Sequence, residues 1–135
     1  MSNPLRVYYG WRLGDETTAD EVVVRYIPNL KGNTTPRDLP LHLDVANHSP
    51  TGFSWGYYGS GPAQLALAIL VDHAGHDTAL KYYQQFKCQF VAGWDKAWII
   101  SSHEIDAWIE LMDKTTTETI TRVGGYEYPN VKTII

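Results

Sequence analysis

The run SPTGFSWGYYGSGPAQLALAILVDHA, from Ser49 to Ala74, decides the fold. It joins an aromatic, glycine-rich loop to a segment that is apolar almost all round. From Ala63 to Val71 only Gln64 is polar, and a helix apolar on every side is either buried or spans a membrane. This segment is too short to cross a bilayer, which needs roughly 20 residues, so the central helix of a core is predicted. Upstream, Phe53, Trp55 and Tyr57 alternate with Ser54 and Gly56, the two-residue period of a strand, expected to end at Gly59. Gly52, Gly56, Gly59 and Gly61 are read as supplying backbone angles that other residues avoid. Pro62 suits the first helical position, with Ser60 or Gly61 at or beside the cap.

The loop admits two readings. Gly59-Ser60-Gly61 at a helix start offers free N–H groups and the positive end of the helix dipole, which suit an anion. Trp55, Tyr57 and Tyr58 alongside are placed to stack on a base, so Trp55, Tyr57, Tyr58, Gly59, Ser60 and Gly61 form a candidate ligand-binding set. The other reading is a tight turn whose aromatics fill the core. The phosphate-loop pattern fails here, since no lysine follows the glycines. Tyr58 and Pro62 also occupy the glycine positions of a nucleophile elbow.

Working outward, Leu5 to Trp11 and the β-branched run Glu21 to Ile27 are expected to pair as a hairpin across a polar turn, Gly14 to Asp20. A loop from Pro28 to Asp38 leads to a short strand, Leu39 to Val45, with Leu41 and Leu43 on one face. Downstream, Gly75 reads as a helix stop. Asp77 reads as the cap of a helix from Thr78 to Phe86 with Ala79, Tyr83 and Phe86 on one face. Lys87 to Ala92 changes to strand period, and Ala97 to Ile100 is expected as its hairpin partner across Gly93 to Lys96. Ser101 and Glu104 make a capping box for a last helix buried along Ile105, Trp108, Ile109 and Met112. Thr115 to Thr121 reads as a further strand, broken by Gly124-Gly125.

The run from Asn47 to Ala68 resembles the signature of a small uncharacterised domain family found in bacteria, their plasmids and phages. Tyr8-Tyr9-Gly10, Leu39-Pro40-Leu41, Tyr83-Gln84-Gln85-Phe86-Lys87 and Trp98-Ile99-Ile100 resemble its other segments. The likeness covers about residues 5–112, leaving 113–135 as a C-terminal extension. The resemblance implies no activity and no catalytic residue. It does imply an accessory protein of a phage or mobile element.

At 135 residues the chain is read as one domain. Its 44% hydrophobic and 19% charged content is that of an ordinary globular protein. The net charge of −4 argues against general nucleic-acid binding. Cys88 is the single cysteine, and with no apolar leader at the N-terminus this points to a reducing cytoplasm, the host's if phage-encoded. The 13% aromatic content favours a dense core or a contact surface.

Candidate chemistry is sparse. His73 and His76, flanked by Asp72 and Asp77, have the residue types of a zinc half-site without a third ligand nearby; they are read as polar residues of a helix boundary. His42, Asp44 and His48 with Ser49 or Ser60 hold triad residue types. Glu104, Asp106 and Glu110 are read as a solvated helix face. No catalytic residue, metal or cofactor is assigned.

The expectation is an α+β domain in two layers, a mainly antiparallel sheet of about five or six strands against about three helices. Its function is expected to be non-enzymatic binding of a host protein or a small anionic, nucleotide-like ligand. The alternatives are a hydrolytic or nucleotide-processing enzyme using the Gly-Ser-Gly loop, and an oligomer-forming module. In the last, the extension is expected as an added strand or as the seam of a homodimer.

Overall fold

The computed structural model describes residues 4–13 and 21–122, with side chains as far as residue 115. Gly14 to Asp20, and the extension beyond Arg122, lie outside the described residues. Four antiparallel strands form one sheet: β1 (Val7–Arg12), β2 (Val22–Ile27), β3 (Arg37–Asp38) and β4 (Ala97–Ser101), in the order β3-β2-β1-β4. Three helices accompany it among the described residues: α1 (Ser60–Ala74), α2 (His76–Gln89) and α3 (Ser102–Arg122). The class is α+β.

β1 and β2 pair as the sequence predicts, with Tyr8 opposite Tyr26 and Gly10 opposite Val24. Strand alternation sends Tyr8, Val24, Trp98 and Ile100 into the core. Gly10 sits among them because the Trp98 indole crosses it: a Cβ there would stand 2.8 Å from the ring and from Val23 O. The Tyr8-Tyr9-Gly10 segment thus needs glycine for clearance.

The expected central helix is α1. Every residue from Gly61 to Leu70 is buried. Asp72 receives hydrogen bonds from Tyr8 Oη at 2.5 Å and from Arg6 at 2.9 Å, tying α1 to β1. Burial, and then the bond to Asp72, raise the Tyr8 pKa above the usual tyrosine range. Gly75, at φ 91°, stops α1, its N–H bonding to Val71 O at 3.1 Å. The capping box also forms, with Ser101 N–H to Glu104 Oε1 at 3.1 Å and Glu104 N–H to Ser101 Oγ at 3.2 Å. Ile105, Trp108 and Met112 are buried along α3 as predicted. On α2 the buried stripe is Ala79, Tyr82 and Phe86, while Tyr83 is half-buried.

Four expected strands are corrected, and β3 forms inside the expected loop from Pro28 to Asp38, so among the described residues the sheet has four strands instead of five or six. Leu39 to Val45 is not a strand: Pro40 has no N–H for a ladder, His42 takes φ 56°, and Val45 N–H closes a turn on His42 O at 3.0 Å. Phe53 to Tyr57 is not one either, because Gly56 turns the chain at φ 89° and bonds to Val91 O, at 3.0 Å, outside any strand. Lys87 to Gln89 continues α2, and Val91–Gly93 is a single 3₁₀ turn. β4 therefore pairs with β1, Tyr8 opposite Ile100, and not with residues 87–92. Thr115 to Thr121 continues α3, with Thr115 Oγ1 donating to Leu111 O at 2.7 Å. Among the described residues no helix is long and apolar enough to cross a membrane.

Candidate functional site

The glycine-rich loop is built on Gln64, the one polar residue of the apolar helix segment and itself fully buried. Its Nε2 donates to Leu41 O at 2.6 Å and Ala46 O at 3.0 Å. Its Oε1 accepts the N–H of His48 at 2.7 Å and of Ser49 at 3.1 Å. An amide has two donors and an acceptor with two lone pairs, so all four valences are used. One side chain thus holds residues 41–49 against α1. His48 Nε2 meets Tyr83 Oη at 2.7 Å, and Ser49 Oγ donates to Gly52 O at 2.7 Å.

Beyond this clamp the chain enters an aromatic layer. Trp55 has no exposed surface. Its Nε1–H donates to Asp95 O at 2.5 Å. The Arg12 guanidinium lies 4.5 Å from its ring centre and donates to Trp55 O at 2.5 Å. Trp98 meets Trp55 edge-on at 5.7 Å, and Trp94 stacks on Trp98 at 4.1 Å. A cation over an indole and edge-on aromatic contacts both favour a fixed arrangement. The loop is therefore anchored immediately before it surfaces.

Tyr57 and Tyr58 then point outward, 49% and 72% exposed. The Tyr57 ring lies across the start of α1: a Cβ on Gly59 would stand 2.5 Å from it, and one on Gly61 3.1 Å from its Oη. Gly59 is extended, at φ −167°, so clearance explains these two glycines, whereas Gly52 and Gly56 have positive φ. Unusual angles, expected at all four, thus occur at two of them. Gly59 is the N-cap and Ser60, exposed, is the first helical residue, which puts Pro62 third and not first. Ala63 N–H bonds to Gly59 O at 3.0 Å. Among the described residues no side chain caps this end, so the N–H groups of Ser60 and Gly61 begin the helix there.

Of the six candidate ligand residues, the structure brings Tyr57, Tyr58, Gly59, Ser60 and Gly61 together at one corner. Trp55 stands behind them in the core. Of the other candidate groups, Asp44 is exposed and the buried Nε2 of His42 has no hydrogen-bond partner among the described residues. His73 pairs with Asp106 at 2.6 Å and the exposed His76 with Asp77 at 3.4 Å. Among the described residues no group of three or more His, Cys, Asp or Glu could hold a metal ion. Glu110 pairs with Lys114 at 3.5 Å. Sequence reasoning missed Gln64, Tyr83 and Arg12 as the supports of the loop. A lone glutamine in an otherwise apolar helix was the available signal, because a buried amide requires partners.

The model of a family of unknown function, DUF6166, matches residues 8–111. No curated protein and no solved structure matches the chain.

Proposed function

We propose a non-enzymatic binding function for this chain, which belongs to the DUF6166 family of unknown function. One observation carries the reading. Two adjacent tyrosines, 49% and 72% exposed, stand on a loop held by Gly56 N–H, Arg12 and the Gln64 clamp. Rigidly presented tyrosines supply contact area at low entropic cost, as in other recognition surfaces. The start of α1 adds the N–H of the exposed Ser60 and the positive end of the dipole. The partner is a host protein or a small anionic, nucleotide-like ligand. The setting, an accessory protein of a phage or mobile element, rests on the resemblance of the signature.

Paired substitutions test this. Tyr58→Ser and the double variant Tyr57→Ser/Tyr58→Ser are compared with the parent for melting temperature. All three are then titrated with ADP and inorganic phosphate under tryptophan fluorescence, and used as bait against host extract. The reading expects a saturable response or a retained protein that the variants lose while staying folded. Identical behaviour of parent and variants in both assays would remove it.

A homodimer is the second reading, favoured by β4. Among the described residues it is an outer strand of the sheet and carries Ile99 with 69% exposure, and an unprotected edge invites pairing with another chain. Light scattering of the parent and of Ile99→Lys decides it: a dimer converted to a monomer supports the reading, and a monomeric parent ends it.

A further inference from the structure

The other side of the sheet is left half open. β3 pairs with β2 only through Arg37 and Asp38, opposite Tyr26 and Arg25. One more bond extends the ladder, Leu39 N–H to Val24 O at 3.1 Å. Pro40 follows, and with no N–H to donate it takes the chain out of the sheet. Residues two apart in a strand direct their N–H and C=O groups to the same side. Val22 therefore faces the side on which Val24 meets Leu39. Among the described residues nothing pairs with Val22 there, nor with the N–H of Val24.

A groove of about 380 Å³ occupies this place, walled by Val22, Leu39, Leu41, Thr51 and Phe53. Its cation, Arg25, is bonded to Asp38 at 3.2 Å. We infer that the groove takes an extended, uncharged peptide segment of a partner protein, added to the sheet as a strand beside β2.

Three features define that occupant. The unpaired ladder groups require a backbone partner, as in strand addition. The free ladder groups are the N–H and C=O of Val22 and the N–H of Val24, since Val24 O already accepts from Leu39 at 3.1 Å, so the occupant is a short extended segment. The accessible wall is more polar than apolar, as free backbone groups and Thr51 make it, and the two charges in the lining are paired with each other, so an uncharged, threonine-rich segment complements it while an anion or a charged peptide does not. Neither Tyr57 nor Tyr58 lines the groove, so this inference stands independently of the tyrosine surface.

Backbone-amide NMR of the full chain tests it, with acetyl-Thr-Val-Thr-Val-Thr-amide as the probe. Shifts are expected at Val22 to Arg25, Leu39 and Thr51 to Phe53. A counterpart N-methylated on the amides that face β2 is expected to bind at least about tenfold more weakly, through lost ladder bonds. Thr51→Trp, which fills the groove from its exposed rim, is expected to abolish the shifts with the melting temperature maintained; Leu41→Trp serves if that variant does not fold. Tyr58→Ser is expected to leave them unchanged. Absence of shifts up to the solubility limit, or equal affinity for the N-methylated peptide, would overturn the inference. So would slow exchange of the Val22 and Val24 amides in the free protein, which would show the edge already paired within the chain or by a second copy.

Discussion

Replacing Gln64 by leucine is the sharpest test of how the loop is held. The side chain is fully buried and makes four hydrogen bonds, all to backbone groups, of Leu41, Ala46, His48 and Ser49. Leucine has similar bulk and satisfies none of them. A buried backbone group left unpaired costs about 1–3 kcal/mol. These four partners are only partly buried, so water reaches some of them once the loop relaxes, and the lower end of the range applies. The expected loss is therefore about 2–4 kcal/mol, well below four times the upper figure, and a large share of a typical stability of about 5–15 kcal/mol. At this chain length it corresponds to a melting temperature lower by roughly 10 °C. Amide exchange at residues 41–49 is expected to accelerate more than exchange in α1. Gln64→Glu refines the test. It keeps acceptors for the His48 and Ser49 N–H groups but turns a second oxygen toward the carbonyls of Leu41 and Ala46. Burial and those carbonyls raise its folded-state pKa above the unfolded value, so its stability falls as pH rises above about 4.3, where the unfolded carboxyl ionises. A Gln64→Leu variant with unchanged melting and unchanged exchange at residues 41–49 would refute the clamp.

Gly10→Ala places a Cβ 2.8 Å from the Trp98 ring and from Val23 O, and is expected to cost about 1–3 kcal/mol by overpacking, read as a lower urea midpoint. Leu67→Asp buries an unpaired charge at a position with no exposed surface, and is expected to leave no soluble folded protein; a normal melting transition would show that α1 is not central. Tyr8 has a folded-state pKa raised by burial and then by its bond to Asp72. Its contribution is thus complete below the unfolded tyrosine pKa of about 10 and declines above it. Urea midpoints are expected to fall between pH 8 and pH 11, and to fall less in Tyr8→Phe.

Much of the candidate site was legible, but not its internal division of labour. The motif from Ser49 to Gly61 gathers at one corner of the molecule. Its aromatics look alike in sequence, yet Trp55 is enclosed by Arg12, Asp95 and Trp98, whereas Tyr58 is 72% exposed. Each of those enclosing residues is about forty positions away along the chain, so no local pattern announces them. The groove was invisible for a related reason. Leu39 to Val45 has the apolar spacing of the strand that would have filled it, and Pro40 diverts that segment.

What the sequence determined by itself are the features whose cause lies within a turn or two of chain. The apolar run of α1 must be buried whatever surrounds it. Gly75 ends it because a positive φ suits glycine, the Ser101–Glu104 box closes on itself, and the β-branched hairpin pairs β1 with the next strand. The tertiary structure decided the rest. The Lys87 to Ala92 segment shows a two-residue alternation, yet α2 continues through it to Gln89. β4 takes its place beside β1, some ninety residues earlier in the chain. A short alternating run records only which face is apolar. Whether it becomes a strand, and against which partner, depends on where a free ladder edge and an unfilled core face meet, and both are set by distant segments.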